Sequence, residues 1–303
     1  MRAVVFAFSR VGAGGVARIA EAGFELALVI TPDEPGDRED ILPVKEACAR
    51  FGIPCAMTSQ PGQFGWIERI RKAGADMIFS LGYHGVLKGQ ILSAASAGAY
   101  GLHYSLLPRH RGEDPVRHAI LAGEETTGVT LYVLETLPYS GGVVASREVG
   151  ISMDDTAATL EAKLDDAADV LLVETLPKMA RLEFSPVPQN IQAGPLNPRL
   201  TPEDGRIDWS WPAVRIHNLV RAFTRPFSGA YCLLTEELVF VWAARLADAP
   251  GPPPGSCMIM GENVLAGTGR GCLELVEIEL SGRILHGHDL VRFFRDRPNA
   301  AFT

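Results

Sequence analysis

The tightest constraint on this chain is a rhythm in its first half, where short β-branched runs alternate with helical patterns. Ala3–Phe8 (AVVFAF) reads as a buried strand, Gly14–Ala22 as a helix and Phe24–Thr31 (FELALVIT) as a second strand. Ile41–Phe51 and Trp66–Ala73 have helical spacing, Asp76–Leu81 (DMIFSL) reads as a strand, and Gly128–Leu134 with Gly142–Glu148 forms a further strand pair. Apolar runs this short, separated by helices, are buried on both faces, so they predict a mostly parallel sheet flanked by helices. The fold class is α/β, and ligands of such sheets sit beyond the carboxyl ends of the strands.

A chain of 303 residues exceeds what one core usually serves, so two domains are expected. Asp154–Met179 has the pattern of a long amphipathic helix, with Asp155 or Thr156 as its cap. Residues 185–198 (SPVPQNIQAGPLNP) are rich in Pro, Gly and polar residues and read as a linker. The expected organisation is a first domain over 1–184, a linker over 185–200 and a second domain over 201–303. In the second domain, short strands broken by turns such as Pro250–Gly255 suggest a small β-barrel or sandwich.

Composition then narrows the function. The formal net charge of −8 argues against a general nucleic-acid binder, which needs Lys and Arg to neutralise phosphates. No apolar stretch reaches membrane-spanning length, and the opening residues read as a first strand rather than a leader. Five cysteines without a CxxC spacing read as scattered buried thiols of a reducing compartment, which implies a cytoplasmic protein. His286-Gly-His288 is a poor ligand set and reads as a surface turn, so no metal is expected.

Two glycine-bearing segments invite a chemical reading. Gly12-Ala-Gly14-Gly15 follows the first strand but matches a dinucleotide fingerprint weakly, and reads better as a tight strand-to-helix turn. Gly101–Gly112 (GLHYSLLPRHRG) is more specific: His103 follows a strand-like run, ahead of a rigid SLLP turn and an Arg-x-Arg-Gly loop.

Together with Ile78–Leu87 (IFSLGYHGVL), Gly123–Thr130 (GEETTGVT), Asp155–Leu164 (DTAATLEAKL) and Leu200–Leu219 (LTPEDGRIDWSWPAVRIHNL), this segment resembles the 10-formyltetrahydrofolate-dependent formyltransferases, the family of methionyl-tRNA formyltransferase and sugar N-formyltransferases. The resemblance implies a Rossmann-like N-terminal domain, an OB-like C-terminal barrel, 10-formyltetrahydrofolate as formyl donor and a small-molecule amine as acceptor. It also implies three catalytic side chains: an Asn and a His in N-x-H, and a later Asp. His103 matches the His, but Gly101 stands at the Asn position and Tyr139 at the Asp position.

Two readings of this departure stay open. In one, the site is re-equipped, with Asp114 or Glu113 supplying a carboxylate to His103 and Tyr139 or Tyr104 donating to an oxyanion. In the other, the chain keeps the fold and the folate pocket without the reaction. The family's folate loop falls on Gly85, Val86 and Leu87, and Glu113, Glu135 and Tyr139 are further candidates for cofactor contact. Tyr104, Ser105, Arg109 and Arg111 are the candidates for substrate contact, the arginines because their guanidinium fork suits carboxylates. The acidic Glu113-Asp114 pair favours a cationic amine over a nucleotide sugar. The sequence leaves the oligomeric state open.

Overall fold

The computed structural model describes residues 1–33, 38–85 and 87–303. Its contacts group into two compact units that interleave along the chain. The first comprises Met1–Gly112, Thr126–Gly150 and Ala162–Asn197, and the second Glu113–Glu125, Ile151–Glu161 and Pro198–Thr303. The chain passes to the second unit for good after Asn197, yet two short pieces before that point already belong there.

In chain order the first half contains β1 (Arg2–Ala7), α1 (Ser9–Glu21), β2 (Glu25–Thr31), α2 (Arg38–Phe51), β3 (Cys55–Met57), α3 (Phe64–Ala73), β4 (Met77–Leu81), α4 (Gly89–Leu92), β5 (Ala99–His103), β6 (Arg111–Gly112), α5 (Pro115–Ala122), β7 (Thr126–Val133), β8 (Val143–Gly150) and α6 (Ala157–Ala180). The first unit is built on a seven-stranded sheet in the order β3-β2-β1-β4-β5-β7-β8. Its first five strands are parallel, and β7 and β8 continue the sheet antiparallel. The strand order turns back between β1 and β4, and the carboxyl ends beside that point are where open α/β sheets take ligands. Val4, Phe6, Ile30 and Ile78 pack with Ile67, Ile70 and Ile91 in one continuous core, as strands covered on both faces require.

Helix α1 begins at Ser9, five residues before the expected start, so the glycine run lies inside the helix rather than in a turn before it. A Cβ on Gly12 would come within 2.9 Å of the Leu81 carbonyl oxygen, and one on Gly15 within 2.2 Å of Leu81 Cδ1. These two glycines let α1 press onto β4; the reading of this run as a strand-to-helix turn is corrected accordingly. At the start of α6 the cap expectation resolves on Thr156. Its hydroxyl accepts from Thr159 N–H at 3.3 Å while Thr159 returns the bond to Thr156 N–H at 3.0 Å. Asp155 instead holds the preceding turn by accepting from Ser152 N–H at 2.6 Å.

Residues 185–197 are not a free tether. Val187 and Val143 exchange backbone hydrogen bonds, Gln189 donates to the Gly141 carbonyl, and β9 (Leu196–Asn197) pairs with β6.

The second unit adds α7 (Ala213–Phe223), β10 (Ala230–Leu234), β11 (Glu237–Ala247), β12 (Cys257–Met260), β13 (Asn263–Gly267), β14 (Cys272–Leu280), β15 (Arg283–His286) and α8 (Gly287–Arg295). Its sheet is antiparallel in the order β10-β11-β14-β13-β12, with β15 pairing the second half of β14. Helix α5 packs against α7 inside this unit. The buried Arg117 guanidinium lies 4.2 Å and 4.3 Å from the ring centres of Phe223 and Phe227 and donates to the Ala222 carbonyl.

The cysteine expectation is corrected in one respect. All five are free, but Cys55 is exposed and Cys257 half-buried. Cys48 hydrogen-bonds the Cys55 thiol, which with Lys45 nearby lowers Cys55 to about 7, while Cys48 is pushed up.

Candidate active site

His103 is the last residue of β5, and its side chain is buried. Its Nε2 lies 3.0 Å from the His110 carbonyl oxygen. A carbonyl only accepts, so Nε2 carries the proton and the lone pair is on Nδ1. Burial is the main influence on this imidazole, holding it at about 4, well below the usual histidine value. His103 is therefore neutral across the physiological range.

The turn after His103 is held by its own polar side chains. Ser105 donates to the Arg109 carbonyl at 2.6 Å, and Thr130 donates to the Ser105 carbonyl while accepting from Leu107 N–H. His110 has φ 48°, and its Nδ1 accepts from the Asn197 amide at 3.0 Å. Thus the carbonyl that orients His103 is itself fixed from β9, in the segment that composition suggests is a linker.

Beside His103 stands an aromatic pair. The Tyr139 ring centre is 4.9 Å from that of His103, and Tyr132 is 6.4 Å from both. Tyr132 faces Gly101 across the β5–β7 ladder. A Cβ on Gly101 would meet Leu134 Cδ2 at 2.7 Å and Tyr132 Cε1 at 3.0 Å. The volume an Asn would take at position 101 is thus already filled by two neighbouring side chains. Burial raises the Tyr132 hydroxyl above its usual range, with Tyr139 adding to the effect. Tyr139 sits on the loop after β7 with φ 59°, and Gln189 donates to its carbonyl and to that of Gly141. Only the Tyr139 half of the pair follows from the family resemblance. Tyr132 becomes visible once the strand register is known.

The remaining candidates divide clearly. Tyr104 donates to Asp165 of α6, and Arg10 also acts on that carboxylate, whose pKa burial raises overall. Ser105 and Arg111 both have backbone partners: the Ser105 hydroxyl donates within its own turn, and Arg111 donates through Nε and Nη2 to the Gly194 carbonyl at 3.1 and 2.8 Å. Arg109 and Glu135 are exposed, and Ser140 donates to Glu135 at 3.2 Å. Gly85 is exposed and Leu87 buried, whereas Val86 lies outside the described residues. In the second unit, Asp114 accepts from Leu200 N–H at 2.8 Å and pairs with Arg117 at 3.7 Å, and Glu113 stands 3.9 Å from Arg199. Both carboxylates therefore have partners of their own.

Comparison with known proteins gives two family matches along the chain. Residues 38–176 match the profile of the formyl transferase family, and residues 199–295 match that of the formyl transferase C-terminal domain. The sugar 3N-formyl transferase WlaRD, solved in the presence of dTDP and 5-N-formyl-THF, aligns over 93% of this chain and 98% of its own, with TM-score 0.71 and 14% identity. HypX from Aquifex aeolicus, in complex with tetrahydrofolic acid, aligns over 97% of this chain and 47% of its own, with TM-score 0.61 and 19% identity. At these identities the likeness is one of fold, and the chain spans about half the length of the HypX structures it matches. Phosphoribosylglycinamide formyltransferase from Bacillus halodurans aligns over 59% of this chain and 95% of its own, with TM-score 0.52 and 26% identity.

Proposed function

We infer the function from one premise: the chain belongs to the formyl transferase family. On it rests the reading that this protein transfers a formyl group from 10-formyltetrahydrofolate to a small-molecule amine, with the antiparallel second unit as the family's OB-like module and the cytoplasm as its place of work. The observation that carries this reading is His103: buried, neutral, held in one tautomer by the His110 carbonyl, and in ring contact with Tyr139.

The residues present suit a folate. A pterin offers an amino and amide edge, which calls for backbone groups and a carboxylate. Gly85 and Leu87 provide backbone on one side, and Glu135 provides an exposed carboxylate on the loop that carries Tyr139. When bound, the folate supplies the formyl carbon. The chain's own part is acid–base and electrostatic. His103 Nδ1 is free of the proton that Nε2 holds, so it can accept one from the attacking amine. The Tyr139 hydroxyl is the nearby donor for negative charge that develops beside the imidazole. Asp114 is already paired with Arg117 and Leu200, so in this reading Tyr139 rather than Asp114 takes the place of the missing carboxylate.

The test is turnover of 10-formyltetrahydrofolate against a panel of primary amines, comparing wild type with His103→Asn. Loss of a general base costs about 10²–10⁴ in rate. An unchanged rate in His103→Asn rules out the proposed role.

A second reading, folate binding without transfer, is favoured by the filled space at Gly101, which removes one family side chain altogether. It requires folate to bind with no amine in the panel turning over, and binding to be indifferent to His103→Asn.

A further inference from the structure

The second unit contains a cavity of about 430 Å³ that is separate from His103 and its neighbours. It is lined by α7, by the turn ahead of α6, and by β11 and β14. Two of its polar side chains are buried. Arg221, on α7, is only 5% exposed. Three of its N–H donors are spent within the unit, Nε on the Asn218 side chain at 3.0 Å and Nη1 on the carbonyls of Ser152 and Asp155 at 3.1 and 3.0 Å. A guanidinium has five such donors. One turn earlier on α7, His217 is 7% exposed, and among the described residues its buried Nδ1 has no hydrogen-bond partner. Buried imidazole nitrogens normally have one, and a native orphan calls for an explanation.

Charge decides the sign of the ligand. Arg221 and Arg245 line the cavity with one carboxylate, Asp154, and Arg245 also stands 3.8 Å from Glu274, so the buried Arg221, with two N–H donors unspent, sets the sign. Burial, and next the Arg221 charge, lower the His217 pKa, so it presents a neutral imidazole. The remainder of the wall is mostly apolar, with Val220, Leu246, Val276 and Trp242 beside the hydroxyls of Thr156 and Thr224. A ligand matching this wall carries one negative charge at the His217–Arg221 end and hydrocarbon or aromatic surface elsewhere.

We propose that this cavity binds a small monocarboxylate with an apolar body, its carboxylate held by Arg221 and Arg245 and by the orphan nitrogen of His217. The site owes nothing to the formyl-transfer reading and stands or falls apart from it.

Benzoate is the direct probe, titrated into the full chain by calorimetry, with the imidazole ¹⁵N resonances of His217 followed in parallel. Saturable binding at one site per chain is expected, with a shift of the His217 Nδ1 signal. His217→Asn should weaken binding about tenfold, the equivalent of one charge-assisted hydrogen bond. Arg221 also secures the turn at Ser152–Asp155, so Arg221→Ala risks unfolding. Arg245→Gln, at a largely exposed side chain, leaves the fold intact and should still weaken binding severalfold. The proposal is overturned if benzoate leaves the His217 signal unmoved, or if both variants bind it as wild type does. It is also overturned if inorganic phosphate binds as tightly as benzoate, since the apolar wall would then contribute nothing.

Discussion

Restoring the family's Asn by Gly101→Asn looks, from the sequence, like a repair. The structure says it should be a lesion. The Cβ alone would stand 2.7 Å from Leu134 Cδ2 and 3.0 Å from Tyr132 Cε1. Leu134 can swing its methyl aside, but the amide adds three further heavy atoms beyond the Cβ, directed at the buried ring of Tyr132. Overpacking of this kind costs about 1–3 kcal/mol. In a unit of this size each kcal/mol moves the melting temperature by roughly 2–4 °C, so Gly101→Asn should melt roughly 2–12 °C below wild type. Its formyl-transfer rate should not rise, because the amide is not free to face the reacting atoms. Pairing it with Leu134→Ala opens the required volume, and the double variant should regain part of the lost stability relative to the sum of the two single changes, a coupling of roughly 0.5–3 kcal/mol. Thermal melting by circular dichroism and a folate turnover assay measure both quantities. A Gly101→Asn protein that melts with wild type and turns over faster would refute the claim that Tyr132 and Leu134 occupy the Asn position.

Other perturbations are equally accessible. Burial holds His103 at about 4 in the folded chain against its ordinary 6.5, so below pH 6.5 the unfolded chain takes up the proton first. Stability should fall as pH drops from about 6.5 to about 4, by roughly 3 kcal/mol in all, and a urea-denaturation series should show that component of the slope vanish in His103→Asn. Arg117→Met keeps the bulk but leaves the Ala222 carbonyl unpaired and removes the cation from between Phe223 and Phe227; chemical denaturation should show a loss of about 2–4 kcal/mol in the transition of the second unit. Cys55, exposed and lowered to about 7, should be the first thiol alkylated by iodoacetamide at neutral pH, as peptide mapping would show, with Cys48 protected. Asn197→Leu removes the donor that secures His110; it should cut turnover more than it lowers the melting temperature, because the orientation of His103 depends on the His110 carbonyl.

Much of the fold is legible in the sequence because its information is local. The parallel strands announce themselves as unbroken apolar runs, and the helices between them by their spacing, so β1, β2, β4, α2, α3, β7 and β8 fall close to their expected bounds. Three features escape, each for a non-local reason. The glycines of α1 read as a turn because nothing in their neighbourhood reveals Leu81, which is far off in sequence and close in space. The 185–197 segment reads as a linker because Pro and Gly mark irregular backbone, and irregular backbone can still be tightly hydrogen-bonded. At the site, His103 and Tyr139 are found by motif position, but Tyr132 matters only through its register opposite Gly101. The backbone partners of Ser105 and Arg111 are hidden for a similar reason, since the sequence does not show which carbonyls their side chains meet.

The interleaving of the two units bears on how the protein is made. Helix α5 leaves the ribosome about a hundred residues before α7, the helix it packs against. At typical synthesis rates the interval is roughly 5–20 s. Throughout it, α5 lacks the helix it packs against, and Arg117 lacks its cation–π partners Phe223 and Phe227. A gene cut at the Pro-rich stretch would make that wait permanent in both halves. The upstream fragment would carry an uncovered α5 and the downstream fragment an uncovered α7. What composition marks as the natural place to divide this protein is thus a place where division leaves two incomplete parts, and the second unit is inherited only with the chain that precedes it.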